Sequence, residues 1–212
     1  MRMKRKIIFD LDGTLFDTLE DIITAVKDTF SELRLDVPES LDIKKSIGWG
    51  SRQLFLSLLA DKACMADAAL KIFGDIYQSR LTAVTEPYPG VPEILKELHT
   101  DFSLNVLTNK PKRFTLPLIE YYSLKELFDS IITPDDTADN IKKPDARLCS
   151  MDILKNAVLF VGDSAVDMDM AKTCGIPSVF VTYGYGSLNN SEPSFIIDSI
   201  SGLRDIIISS GI

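Results

Sequence analysis

Two stretches of this chain, Val158-Leu159-Phe160-Val161 and Val179-Phe180-Val181, are apolar without a break and rich in β-branched residues. A strand with one wet face alternates apolar with polar side chains. One that is apolar throughout needs cover on both faces, which helices on either side of a parallel sheet supply. Similar short runs recur, giving candidate strands at residues 6–10, 103–108, 130–133, 157–162 and 178–182, with segments of helical character between them. That alternation predicts an α/β chain with a doubly wound parallel sheet, a Rossmann-like core.

The alternation fails once. Residues 18–83 contain no convincing strand, only amphipathic helical patterns. In the first, Leu19, Ile22, Ile23, Val26, Phe30 and Leu33 share one face at spacings of three and four. Pro38 interrupts it, Gly48-Trp49-Gly50 marks a loop, and further helices are expected over 51–60 and 65–81. A connection of roughly 65 residues is too long for a crossover in a compact domain. Residues 18–83 are therefore read as an inserted helical cap domain, with 1–17 and 84–212 forming the core. The return linker Pro87-Tyr88-Pro89-Gly90 is stiff at its prolines and able to swivel at its glycine.

Composition removes several functional classes. The chain has 212 residues, 45% hydrophobic and 25% charged, enough to bury a core without disulfides or a structural metal. Its 31 acidic and 23 basic residues give a formal charge of −8, which disfavours nucleic-acid partners. The basic cluster Arg2, Lys4, Arg5, Lys6 precedes only Ile7-Ile8-Phe9 before Asp10, too short an apolar run for a signal peptide. No stretch reaches the ~18 apolar residues of a membrane span. The expectation is a cytoplasmic chain with neither nucleic-acid nor membrane partners, its oligomeric state unassigned. Cys64, Cys149 and Cys174 form no CxxC pair and are read as reduced, mostly buried thiols. His99 is the single histidine, so a His-rich metal site or a conventional catalytic triad has no basis. It is expected at the solvent edge of a helix end, after Ile94, Leu95 and Leu98.

Chemistry concentrates where strands end. The first candidate strand closes in Asp10-Leu11-Asp12-Gly13-Thr14-Leu15. Residues two apart in an extended segment share a side, so Asp10 and Asp12 face one pocket while Leu11 packs away. Gly13 lets the backbone turn and approach a ligand. The same hexapeptide also suits a plain strand-end turn. Near the other end, Gly162-Asp163-Ser164-Ala165-Val166-Asp167 closes an apolar strand and opens a helix, with Asp167 about one turn beyond Asp163. Ser164 suits the helix cap and Gly175 its end, and acidic first-turn residues are favourable without any ligand. Thr108-Asn109 offers a hydroxyl and an amide, and Lys142-Lys143-Pro144 offers positive charge. All four segments fall at or just beyond a C-terminal strand end or in the loop after it, the edge where open α/β sheets bind ligands. Asp10, Asp12, Asp163 and Asp167 supply hard oxygen ligands for a cation such as Mg²⁺, and Lys143, Thr108 and Asn109 supply positive charge and donors for a phosphate. Phosphoryl transfer needs that inventory.

In these four segments, in this order, the chain resembles the haloacid dehalogenase superfamily on its phosphatase side. The helical insertion followed by Tyr88-Pro89-Gly90-Val91 is similar to the phosphoglycolate phosphatase and β-phosphoglucomutase group. The resemblance implies Asp10 as a nucleophile forming an aspartyl phosphate and Asp12 as general acid, then base. It further implies Mg²⁺ held by Asp10, the Asp12 backbone carbonyl and Asp163, with Asp167 direct or through water. Thr108 and Lys143 would grip the phosphoryl group of a small phosphorylated metabolite. Two departures stand out: the segment from Pro144 to Gly162 is short, so one helix is expected to be trimmed, and Lys142 replaces a common glycine. Lys143, which precedes the proline, is taken as the inward lysine. Arg52 is the cap's candidate for a substrate anion; Trp49 is expected to pack.

Other readings share these residues. A dehalogenase has no leaving alcohol to protonate, so Asp12 argues against it. A phosphosugar mutase, a pyrophosphatase or a nucleotidase would keep the same core. A receiver-type phosphoacceptor module is shorter and lacks the insertion after its first strand.

Overall fold

The apolar runs become strands, and the long helical stretch stays helical. In a computed structural model that describes residues 4–212, so that Arg2 lies outside the described residues, the chain runs β1 (Arg5–Phe9), β2 (Phe16–Asp17), α1 (Leu19–Glu32), α2 (Ser40–Ser46), α3 (Ser51–Leu59), α4 (Ala66–Ser79), β3 (Glu86–Pro87) and α5 (Val91–Leu98). It continues through β4 (Phe102–Leu107), α6 (Lys112–Tyr121), β5 (Ser130–Ile132), β6 (Ala157–Gly162), α7 (Ala165–Cys174), β7 (Ser178–Val181), β8 (Phe195–Ile197) and α8 (Leu203–Ser210).

Six strands form one sheet in the order β5-β4-β1-β6-β7-β8, every neighbouring pair parallel. β1 sits inside it, and its alternate side chains enter different cores. Ile7 and Phe9 join one cluster, while Ile8 packs with Leu107 and Phe160 in another. Both faces are covered, as the unbroken runs require. β8 was not legible in the sequence: it is a three-residue edge strand whose Ile196 is mostly exposed. Among the described residues, no helix is long and apolar enough to cross a membrane.

The helical insertion is built on its apolar stripes. Ile22, Ile23, Val26 and Phe30 of α1 are buried, as the spacing predicts. Phe30, Phe55, Phe73 and Tyr77 form a chain of aromatic contacts with centroids 5.2–6.2 Å apart. Tyr77 then meets Phe114 of α6 edge-on at 4.9 Å, joining insertion to core. Where the chain crosses between them, β2 and β3 pair antiparallel. Asp21, fully buried, accepts hydrogen bonds from Val84 N, Thr85 N and Thr85 Oγ1 at 2.8–3.0 Å, tying the return linker to the first turn of α1.

Between Lys143 and β6 there are only 3₁₀ turns, Ala146–Ser150 and Asp152–Leu154, in keeping with the expected trimmed helix. The cysteine reading is corrected. Cys149 and Cys174 are joined by a disulfide and Cys64 is exposed. Spacing alone gave no sign that the turn at Ala146–Ser150 packs against α7. His99 follows α5, half-buried, with Nδ1 3.0 Å from Leu127 O.

Candidate active site

The C-terminal ends of β1, β4 and β6 and the loops beyond them meet at one edge of the sheet. Asp10 follows β1 and is anchored there by its N–H, which donates to Val161 O at 2.9 Å. Asp163 follows β6, and Asp167 lies in the first turn of α7. All three are buried, and one carboxylate oxygen from each lies within 4.8 Å of the others. Groups 153 residues apart in the chain thus share one site.

Lys143 occupies its centre. Its Nζ lies 2.6 Å from Asp10 Oδ1 and 2.6 Å from Asp167 Oδ1, with only 2% of the side chain exposed. The second Asp167 oxygen accepts from Ser164 Oγ at 2.6 Å and Ser164 N at 3.2 Å, which caps α7. Both oxygens of Asp167 are therefore engaged by the protein. Asp163 Oδ2 accepts from Tyr185 N at 3.1 Å and Gly186 N at 2.8 Å, in the loop after β7. Glycine is required where these loops meet. A Cβ on Gly13, at φ +81°, would fall 2.0 Å from Asp163 Oδ2, and one on Gly184 would fall 2.3 Å from Gly13 O.

Burial and crowding shape the electrostatics. The Asp10 carboxyl is pushed up to about 7, first by burial and then by the neighbouring Asp167. Burial, then Asp167 and Asp10, hold Asp163 well above the ordinary carboxyl range. Burial alone would lower Lys143, but Asp10 and Asp167 raise it, so it stays charged. Lys143 is shared by Asp10 and Asp167, Lys110 pairs with Asp12, and Asp163 has no ammonium partner among the described residues. With all four carboxyls ionised, the site carries an excess of two negative charges over its two buried ammonium groups. An oxygen-only donor set with that excess fits a hard divalent cation.

Asp12 points differently. Its side chain is outside the three-carboxylate cluster; Oδ1 accepts from Thr18 Oγ1 at 2.8 Å and from Lys110 Nζ at 2.9 Å. Lys110 Nζ also donates to Tyr77 OH at 2.6 Å, and Thr18 Oγ1 is 2.8 Å from Tyr185 OH. Sequence reasoning missed these four partners. Lys110 adjoins Thr108-Asn109 and was within reach of a longer motif. The Gly184-Tyr185-Gly186 loop just past an apolar strand was a second signal. Thr18 and Tyr77 carried none.

Thr108 is buried at the end of β4, its Oγ1 accepting from Lys110 N at 3.2 Å. Asn109 lines the cleft, but its amide is engaged by protein: Nδ2 donates to Gly48 O and Lys143 O, and Oδ1 accepts from Lys143 N. It locks the lysine loop to the loop before α3. Arg52 is turned away from the cleft; its guanidinium meets Asp67 at 2.5 Å. Trp49, expected to pack, is 47% exposed. Lys143 is the inward lysine, while the Lys142 side chain lies against Gly50.

Above the carboxylates opens a cleft with about 740 Å³ of free space, its mouth included. Its far wall comes from the helical insertion: Lys44, Leu54, Phe73 and Tyr77. The arrangement sets a buried carboxylate beside a fixed ammonium group, with a second carboxylate and an open chamber next to them.

Comparison with known proteins finds similar hydrolases and phosphatases. The model of a family described as haloacid dehalogenase-like hydrolase matches residues 7–181. A phosphoglycolate phosphatase of Aquifex aeolicus (strain VF5) is 32% identical over 203 residues, 94% of each chain. Another, from Vibrio vulnificus (strain CMCP6), is 32% identical over 221 residues, 96% of each. Among solved structures, a predicted phosphoglycolate phosphatase from Haemophilus somnus 129PT superposes with a TM-score of 0.85 at 28% identity, covering 97% of this chain and 98% of its own.

Proposed function

This chain belongs to the haloacid dehalogenase-like hydrolases, and we propose that it is a Mg²⁺-dependent phosphatase that hydrolyses a small phosphorylated metabolite, 2-phosphoglycolate first among the candidates, through an aspartyl phosphate on Asp10. The observation that carries the reading is Lys143 Nζ held 2.6 Å from Asp10 Oδ1 at the end of β1, with Asp12 two residues on. The relatives' names support the substrate. Lys44 supports it too, as the cation on the insertion's side of the cleft, where a glycolate carboxylate would lie.

In the first step an Asp10 oxygen attacks phosphorus. The bond from phosphorus to the ester oxygen breaks, its electron pair stays on that oxygen, and Asp12 delivers the proton that completes the alcohol. In the second step water attacks phosphorus and gives its proton to Asp12. The bond to Asp10 then breaks, and its electron pair returns to the carboxylate. Thr108 and Lys143 hold the phosphoryl oxygens. Asp10, the Asp12 carbonyl and Asp163 would hold Mg²⁺, whose contribution is charge compensation on the phosphate oxygens. With both its oxygens engaged, Asp167 contributes by fixing Lys143. Residues 18–83 act as a cap that excludes bulk water, hinged at the β2–β3 pair.

The test is phosphate release from a panel of phosphorylated metabolites with Mg²⁺. 2-Phosphoglycolate is expected among the best substrates, and excess chelator is expected to stop release until Mg²⁺ is restored. Absence of phosphate release across the panel, or full activity in chelator, would refute the reading.

The cation also has a stability signature. Asp10 is raised from 3.8 to about 7. Its ionisation penalty is therefore absent below the unfolded value and complete above the folded one. Without a divalent cation the melting temperature should fall as pH rises through that window. Saturating Mg²⁺ should raise it more at about pH 8 than at about pH 5.5. Equal shifts at both pH values would contradict a cation bound at the carboxylates.

A further inference from the structure

The proposed mechanism needs Asp12 twice, yet Asp12 does not stand alone. Its Oδ1 takes two donors, Thr18 Oγ1 and Lys110 Nζ, and the described residues give Oδ2 no donor. The carboxylate is pinned by one oxygen and presents the other. Lys110 is itself pinned, for its side chain is 3% exposed. Its Nζ donates to Tyr77 OH at 2.6 Å and lies 4.6 Å from the Tyr77 ring centroid. A lysine has four rotatable bonds, and a buried one needs partners on more than one side to hold a single geometry. Tyr77 supplies the second side, and its ring is fixed between Phe73 at 5.2 Å and Phe114 at 4.9 Å.

Tyr77 lies on α4, inside the helical insertion, whereas Lys110 and Asp12 belong to the sheet's edge. From the juxtaposition of Tyr77, Lys110 and Asp12 we infer that Lys110 and Tyr77 are positioning residues, which aim the Asp12 carboxyl at the leaving oxygen and make that aim depend on where α4 sits. The inference rests on the proposed acid and base role of Asp12. Under it, drawing α4 away would take Tyr77 from Lys110 and loosen one of the two donors that hold Asp12, so proton delivery follows the position of the insertion.

Charge compensation by Lys110 would also explain the ion pair, and leaving-group dependence separates the two. An alkyl phosphate, such as 2-phosphoglycolate, needs its leaving oxygen protonated. A p-nitrophenyl ester departs as a stable anion without help. The quantity to compare is kcat/KM, which reports steps up to loss of the alcohol. For Tyr77→Phe and Lys110→Met, kcat/KM for the alkyl ester should fall roughly 10- to 100-fold, the scale of a misaimed general acid. For the p-nitrophenyl ester it should stay within about threefold of wild type. Both variants should then release a burst of p-nitrophenolate before a slow steady state, because the second step still needs Asp12 to activate water. Lys110→Arg, which keeps the charge and a donor, should recover part of the alkyl activity. Tyr77→Phe keeps the packed ring and so remains informative if Lys110→Met folds poorly.

Equal losses on both esters, or none on either, would overturn the inference. Asp12→Asn sets the reference. If Asp12→Asn discriminates between the esters and the Tyr77 and Lys110 variants do not, the positioning role alone is wrong. If Asp12→Asn does not discriminate, the proton-transfer role of Asp12 falls, and the inference falls with it.

Discussion

Asp10→Asn is expected to lower phosphate release by roughly ten-thousand-fold or more, the scale seen when a covalent nucleophile is removed, while the chain stays folded. The amide has nearly the shape of the carboxylate but cannot form the acyl phosphate. The stability side of the prediction follows from crowding. Asp10 sits buried beside Asp163 and Asp167, and its carboxyl is raised to about 7, so keeping it ionised at about pH 8 costs the folded chain stability. Losing that charge removes repulsion, and Lys143 keeps Asp167 as its partner at 2.6 Å. Without Mg²⁺ and at about pH 8, the variant should therefore melt no lower than wild type. Thermal melts beside phosphate assays read both halves. Activity within a few-fold of wild type would defeat the nucleophile assignment.

Lys143→Met should lose activity and stability together. The methionine fills much of the same volume but leaves Asp10 and Asp167 facing each other in a dry site without a cation. Removing one partner of a buried ion pair costs about 3–5 kcal/mol, because the other charge stays buried and uncompensated. For a chain of this size that is a fall of roughly 10 °C in melting temperature. Turnover should drop by at least about a hundredfold, since the phosphoryl oxygens lose their fixed positive charge. Added Mg²⁺ should restore part of the melting temperature, because it too offsets the carboxylates, yet leave turnover low. A variant that melts like wild type would show that the Lys143 ion pairs contribute little to the fold.

The contrast between these variants reflects how much of the site was written locally. Asp10, Asp12 and Asp163 end or follow strands whose apolar runs are continuous, so those strands and the residues at their tips were legible, whereas Lys143 lies in the loop well beyond β5 and was marked out by the proline that follows it. Ser164 and Gly175 read as helix caps and are the caps of α7. Relations across the fold were harder. Asn109 looked like a phosphate donor, because nothing local says that its amide meets Gly48 and Lys143, 61 and 34 residues away. Arg52 looked like an anion site because it adjoins a glycine loop, but Asp67 on the next helix claims it. The disulfide needed the packing of a 3₁₀ turn on α7. Tyr77 falls in the segment 65–81 expected to be helical, and nothing local sets it apart. Its ring packs in the core, and only its hydroxyl reaches Lys110.

The most direct test of the account is to find the phosphoryl group. Asp12→Asn should slow hydrolysis of the intermediate while leaving Asp10 intact. Rapid acid quench of that variant after mixing with p-nitrophenyl phosphate and Mg²⁺, followed by peptide mass spectrometry, should place one phosphoryl group on Asp10, with no adduct when Asp10 is also replaced by Asn. A phosphoryl group on any other side chain, or an adduct that survives Asp10→Asn, would contradict the account.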